Sequence, residues 1–528
     1  MVWDAAKAKD KSSNSNSDNT VSSDNEKSSS RKILLLTNSE LGEANVFLAL
    51  SPALLQSDPD VEVHLASFAS LKQHVDQVRI NVEKTLPNKS IVFHEIQGSS
   101  MLDSKTDISF FNTEALKTPL RFSTSIQALN GLVPMMVPYD GPQLVRVVNS
   151  LIEIIQEVEP DMVVVNSLMM AGLTACYHLQ VRFACLSPNS INTFAARSQP
   201  WLEIMWKHPA PFSGYSYPVP LHLIPLNVCF LVYLTYIWRT DARRREVAAH
   251  LQTHTGAVLR TALDLLENRP PDVKILVGSH PELDIPLVVP PFVHPCGPIV
   301  RHSRAIADAD PELLTWLARG PTIYVNLGSL VWFDREQTTE MAQALRLVVD
   351  TLEKGAYPNV QVLWKLKTDK ASKAELETLA RSLLNSRAKD GRVKIVDWVQ
   401  AEPLSVLESG HIVCSVNHGG ASSFNEAIVA GVPQIILPVW TDCHDNAILV
   451  EMLGVGRHGS KATKPKWTAP ELSSQLLAVL DGEPAEEMKR KAKELAALCE
   501  SRGDGAEHAA KILLEDMKEA REKRSSKK

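Results

Sequence analysis

From Lys32 onward the chain alternates short apolar, often β-branched runs with longer stretches of mixed polarity. Lys32-Ile33-Leu34-Leu35-Leu36-Thr37 reads as a first strand, Asn38 to Asn45 as a loop, and Val46 to about Leu55 as a helix. Val61 to Phe68 and Ile91 to Ile96 follow as strands, Leu144 to Glu157 as a helix, and Met162 to Asn166 as a strand after a Pro160-Asp161 turn. A Pro-rich passage from Pro281 to Pro298 interrupts the alternation, which resumes at about Pro311. The pattern predicts an α/β chain of two doubly wound halves. The expected boundaries are a leading segment at 1–31, a first domain at 32–285, a linker at 286–310, a second domain at 311–485, and a C-terminal helix with a frayed basic tail at 486–528.

The densest chemistry lies between Trp398 and Asp442. Ile412-Val413-Cys414-Ser415-Val416 is too brief for a helix and is bounded by polar residues, so it reads as a buried strand. Asn417 to Ser423 then forms a loop opening a helix from Phe424 to Ala430. Gly419 and Gly420 let backbone amides come close to a ligand, and the helix start favours an anion such as a diphosphate. Gly431-Val432-Pro433 closes that helix, and Gln434 to Pro438 returns as a strand, placing Glu426 and Asp442 at one crevice beyond strand C-termini.

These residues resemble the donor-binding signature of the UDP-glycosyltransferases, the family 1 enzymes that glycosylate small lipophilic molecules. The match lies in the spacing His418 to Glu426 to Asp442, with Gly420, Gly431-Val432-Pro433 and Pro438, opened by Trp398; the resemblance covers about residues 32 to 500. It implies the GT-B fold, with two Rossmann-like domains facing a cleft, and UDP-sugar as co-substrate, needing no metal or other cofactor. It implies stacking of Trp398 on uracil, Gln400 near the base or ribose, and diphosphate contacts from His418, Ser422, Ser423 and the upstream Ser329. Glu426 would accept from the ribose hydroxyls, and Asp442, with Trp440 nearby, would hold the sugar. The donor is expected to be UDP-glucose, the family's commonest.

Three departures from the family pattern bear on this. The Trp398 to His418 interval is two residues longer than the common plant form, which leaves the role of Gln400 open. Cys443 stands where the family usually has glutamine, so sugar choice is open and His444 or Asp445 is a substitute. The third departure falls on the catalytic base: the usual glycine-histidine pair is Gly42-Glu43, and the aspartate that orients the histidine is Asn166. A carboxylate base needs no anionic partner, and a second carboxylate would repel it. Glu43 as direct base, with Asn166 donating to it, is therefore coherent. A carboxylate is weak toward an alcohol, so burial raises its pKa or the acceptor is itself acidic, such as a phenol, enol or N-hydroxyl group.

A chain of 528 residues with net charge −6 and no basic aromatic stripe gives no sign of nucleic-acid binding. The seven cysteines are scattered without metal-ligand spacing and read as reduced buried thiols, implying a cytoplasmic enzyme. Residues 1–31, rich in Ser, Asn, Asp and Lys, have no apolar signal core and are expected to be disordered. Leu221 to Trp238 is mostly apolar and precedes an arginine-rich run, but Pro225, Asn227 and His222 interrupt it. The favoured reading is a buried or lid segment of an apolar acceptor pocket, ahead of peripheral contact with an internal membrane and of a span; Met135-Met136, Met169-Met170 and Trp201 to Trp206 line such a pocket or fill core. The features resemble fungal members acting on polyketides, phenols or terpenoids. A sterol or lipid glycosyltransferase at a membrane surface, and a non-catalytic UDP-sugar-binding protein, are the alternatives.

Overall fold

The computed structural model describes residues 31–525 except 102, 104–120, 303, 330, 385–389 and 440. The expectations for residues 1–30, for Trp440 and for the last three residues lie outside these. Two parallel sheets organise the rest. The first takes strands β1 (Arg31–Leu36), β2 (Val61–Ser67), β3 (Ile91–Glu95), β4 (Met162–Asn166), β5 (Phe183–Ser187), β6 (Ile275–Val277) and β7 (Val293–Pro295) in the order β3-β2-β1-β4-β5-β6-β7. The second takes β8 (Thr322–Asn326), β9 (Gln361–Lys365), β10 (Val393–Val396), β11 (Ile412–Asn417), β12 (Gln434–Ile436) and β13 (Gly456–His458) in the order β10-β9-β8-β11-β12-β13.

In each sheet the winding reverses once, between β1 and β4 in the first and between β8 and β11 in the second. A crevice opens beyond the strand C-termini at such a reversal. The strands flanking it are buried on both faces, β4 and β8 along their whole length, which explains their near-continuous apolar sequence.

The helices that shape the site and its surroundings are α1 (Leu41–Ser57), α2 (Phe122–Met136), α3 (Gly141–Val158), α4 (Glu203–Trp206), α5 (Ile224–Thr240), α6 (Ala242–Thr255), α7 (Ala421–Val429), α8 (Thr441–Leu453), α9 (Glu483–Arg502) and α10 (Gly505–Ser525). Asp140 starts α3 with a reciprocal cap, accepting from Gln143 N–H at 2.8 Å while Gln143 Oε1 accepts from Asp140 N–H at 3.1 Å.

Several expected boundaries move. Arg31 already belongs to β1, and β7 falls inside the stretch expected to be linker, so the first sheet runs to Pro295. The C-terminal helix is two helices broken at Gly503. α9 stays with the second sheet's helices, packing Ala492 and Cys499 against Phe424, Ile428 and Val450. α10 crosses back to the first sheet, where Ala506, Ala509, Ala510 and Leu513 share a core with Phe47, Leu50 and Leu54 of α1. Asp516 ties it down with Arg182 at 2.8 Å and Lys274 at 3.0 Å. The passage between the sheets also joins them, since Leu283 and Ile285 pack in one cluster with Phe424, Ile436 and Ala447.

The largest correction concerns residues 221–238. They form a short turn and α5, and of α5 only Asn227 and Phe230 are buried. Trp201 and Trp206 are exposed rather than packed, whereas Met169 and Met170 are buried as expected. Six of the seven cysteines are buried; Cys229, on α5, is exposed.

Candidate active site

Three of the strands facing the two crevices end in asparagine, and each uses it the same way. Asn166 Oδ1 accepts from Leu168 N–H at 2.8 Å, Asn326 Oδ1 from Gly328 N–H at 3.1 Å, and Asn417 Oδ1 from Gly419 N–H at 2.8 Å. The side chain replaces the next ladder bond and turns the backbone out of the sheet. Asn326 and Asn417 are partners in register, so the two loops of the second sheet turn side by side.

On the first sheet this turn aims Asn166 at α1. With its oxygen held by Leu168, Asn166 Nδ2 donates to Glu43 Oε2 at 2.8 Å. Gly42-Glu43 is not loop, as expected from sequence, but the first turn of α1. Glu43 keeps a little accessible surface because it faces the cleft, yet protein surrounds it closely. Burial is the largest influence and pushes its carboxyl up to about 7, the Asn166 hydrogen bond opposes this, and the Asp442 and Glu40 carboxylates add to it. Asp442 belongs to α8 of the second sheet, so the two crevices face each other through these acids. Leu168, bonded to Asn166, meets Asn38, Met101, Tyr139, Met169 and Met170 around a largely apolar gap too narrow to hold a water. Asn38 Nδ2 is buried there with no hydrogen-bond partner among the described residues.

On the second sheet His418 follows β11 and lies between two glycines. A Cβ on Gly420 would stand 2.5 Å from His418 Nε2, and one on Gly328, at φ +80°, would stand 2.7 Å from Cε1, so neither position accommodates a side chain while the ring is there. Burial, reinforced by Lys365, lowers the imidazole to about 4, leaving it neutral near pH 7 with Nδ1 unpartnered among the described residues. α7 begins at Ala421, earlier than expected, so Ser422 and Ser423 sit in its first turn rather than in a loop; no side chain caps that start among the described residues. Backbone donors there are available to an anion. Ser329 follows Gly328 in the neighbouring turn and is half-buried.

Glu426, further along α7, is pushed up to about 8 by burial and by Glu402, against Arg301. Trp398 follows β10 and is 54 % exposed, with Lys365 Nζ 4.1 Å from its ring centroid. Gln400 is exposed. Cys443 is buried, its backbone packed against Gly419. Of the two neighbours expected to substitute there, His444 is buried near His458, while Asp445 lines the cleft with Asp442, Asn425, Ser190 and Thr193. Burial and the Asp442 and Asp284 carboxylates push Asp445 up to about 7, and burial brings Asp442 to about 6.

Two lysines on β9 and just after it were not among the sequence candidates. Lys365 is 7 % exposed, donates to Gly328 O at 3.3 Å, and is lowered to about 8 by burial and by Lys367. Lys367 donates to Ser329 O and lies 4.5 Å from the Trp332 ring centroid. Lysine in an otherwise apolar strand, at Trp364-Lys365-Leu366-Lys367, was the available signal.

Residues 369–513 match a family described as erythromycin biosynthesis protein CIII-like, C-terminal domain. Glycosyltransferase sdnJ of Sordaria araneosa is 30 % identical over 472 residues, spanning 85 % of this chain and 88 % of its own. A UDP-glycosyltransferase of Talaromyces amestolkiae is 30 % identical over 224 residues, 41 % of this chain and 40 % of that one. A solved complex of a Polygonum tinctorium UDP-glucosyltransferase capable of glucosylating indoxyl, with 3,4-dichloroaniline, covers 92 % of this chain and 98 % of its own at TM-score 0.59 and 17 % identity, so the fold is shared.

Proposed function

The chain belongs to the UDP-glycosyltransferase family and has its GT-B fold, and from that premise we propose that it transfers glucose from UDP-glucose to an acidic hydroxyl of a lipophilic small molecule. The observation that carries the proposal is the Asn166 to Glu43 hydrogen bond at 2.8 Å beside a cleft-facing carboxyl raised to about 7. A base poised near the working pH takes a proton most effectively from an acceptor of comparable acidity, a phenol, enol or N-hydroxyl group. Met101, Tyr139, Met169 and Met170 supply apolar surface for a lipophilic acceptor and Asn38 Nδ2 a hydrogen bond, although the side chains must part to admit it, since the gap between them is too narrow for a water.

In the reaction Glu43 takes the acceptor proton, the acceptor oxygen forms its bond to the anomeric carbon from the face opposite UDP, and the bond from that carbon to the diphosphate breaks with inversion. The departing UDP carries the new negative charge. His418, the first N–H groups of α7, Ser422, Ser423 and Lys365 stabilise it. Trp398 stacks on uracil, and Glu426, Asp442 and Asp445, once ionised, accept from the ribose and sugar hydroxyls, donor binding favouring loss of the protons that burial retains on them.

UDP release with mass spectrometry of products tests this, using UDP-glucose, UDP-galactose and UDP-N-acetylglucosamine against a phenol, an N-hydroxypyridone and a sterol. Hexosylated phenol or pyridone from UDP-glucose is expected. UDP binding without transfer to any acceptor from any donor would favour a binding protein, and transfer to the sterol alone would favour a lipid glycosyltransferase.

A further inference from the structure

α5 carries no charged side chain before Arg239, and its outward face is apolar: Leu221 in the turn before it is 83 % exposed, Val232 57 % and Tyr236 62 %. An apolar helix of this length with only Asn227 and Phe230 buried is not a core helix. The face continues onto the preceding segment, where Trp201 is 88 % and Leu202 71 % exposed. Both stand on left-handed backbone, at φ 56° and 55°, a conformation unfavourable for large side chains. Asn227 joins the two pieces, donating from Nδ2 to Met205 O at 3.1 Å and His208 O at 2.9 Å and accepting at Oδ1 from Ala210 N–H at 2.7 Å.

We propose that this face, Trp201-Leu202 with the outward side of α5, docks on an anionic lipid bilayer and lies in its interface. Charge favours that occupant. The apolar stripe ends at exposed Arg239, and Arg245 follows at the start of α6. Of the acids nearby, Asp241 accepts from Arg244 N–H at 2.5 Å and Glu203 pairs with Lys207 at 2.8 Å, while Glu246, beside Arg245, is exposed and offsets part of this charge. Arginines beside an apolar face rimmed by tryptophan and tyrosine match the phosphate and acyl boundary of a leaflet.

The same contacts exclude a span. Leaving the domain would break the three Asn227 hydrogen bonds, two of them buried, and the stacking of Phe230 on Phe122, whose ring centroids lie 5.5 Å apart. The helix therefore stays on the acceptor-side domain, where an acceptor dissolved in the leaflet would meet the protein. The proposal rests on the surface alone and does not depend on the acceptor chemistry above.

Flotation of the full chain with phosphatidylcholine vesicles, with and without phosphatidylserine, tests it. Wild type is expected to float with the anionic vesicles, and roughly tenfold less with neutral ones. Val232→Glu/Tyr236→Glu and, on the other element, Trp201→Ser/Leu202→Ser should each abolish flotation, while UDP binding, measured by calorimetry, stays as in wild type and certifies the fold. Wild type remaining unbound, or both folded variants floating as wild type does, would overturn the proposal. So would a concentration-dependent dimer in sedimentation velocity that the same substitutions dissolve while vesicles stay bare, since a second copy would then be the occupant.

Discussion

Asn166 holds Glu43 in one orientation: its Nδ2 donates to Glu43 Oε2 at 2.8 Å while its Oδ1 is occupied by Leu168 N–H at 2.8 Å. The amide cannot turn over without placing oxygen against carboxylate and losing both bonds. The pair joins α1 to the end of β4 at the point where the first sheet reverses its winding. A neutral donor stabilises the ionised form of Glu43 modestly, and burial dominates, leaving a carboxyl that titrates near neutrality.

Asn166→Asp removes that donor and sets a second carboxylate beside Glu43. The pair should then share a proton, raising the pKa of the group further. The rising limb of the pH profile of kcat/KM is expected to move to higher pH, with turnover at pH 7 falling about tenfold or more. Rate profiles of wild type and variant on one phenolic acceptor measure the shift, which a purely structural Asn166 would not produce.

Burial that raises Glu43 also costs stability. Its folded pKa of about 7 stands above the ordinary glutamate value of 4.5, so its contribution is fully present below the unfolded pKa and is lost as pH rises through 7. Glu43→Gln is therefore expected to be more stable than wild type at pH 8, by on the order of 1–2 kcal/mol given its partial exposure, and to gain little at pH 4. Urea unfolding at the two pH values shows whether the gain follows this sign.

Glu426, raised to about 8, gives UDP binding a pH dependence of its own. On the proposed assignment the ribose hydroxyls donate to the ionised carboxylate, so binding would favour proton release. Affinity for UDP should increase as pH rises toward about 8 and level off above it, and Glu426→Gln should flatten this dependence and weaken binding. Calorimetry in buffers of different ionisation heat would count the proton released.

Lys365 lies under the Trp398 ring and beside the Gly328 turn. If its charge serves the diphosphate, Lys365→Met costs about 1.5–3 kcal/mol, roughly tenfold to a hundredfold in UDP affinity, and leaves uridine affinity little changed. Equal losses for both ligands would show that it supports the Trp398 platform instead.

Much of this was legible in sequence because apolar runs ending in turn residues have few alternatives to buried strands. β1, β4, β11 and β12 lie where those runs are, and the spacing from His418 to Asp442 marked a crevice before its geometry was known. Helix starts were less legible. Gly42 and Ala421 to Ser423 read as loop, yet α1 begins at Leu41 and α7 at Ala421; the Gly419-Gly420 pair is loop as expected, with Gly420 at the N-cap of α7. Lys365 was passed over as a site residue because lysine in a strand ordinarily marks its solvent face, although its place in an otherwise apolar run was a signal. The apolar segment at 221–238 misled for a different reason: hydrophobicity reports that a surface leaves water, and does not say whether protein or lipid receives it.

The most direct measurement is kcat/KM for a phenolic acceptor with UDP-glucose between pH 5 and 9, for wild type and Glu43→Gln, with UDP affinity measured alongside. Wild-type activity is expected to rise through about pH 7 as Glu43 ionises, and the variant to lose about 10²–10⁴ of the rate together with that rise, at unchanged UDP affinity. A variant that keeps full turnover and the same pH profile would contradict Glu43 as the base.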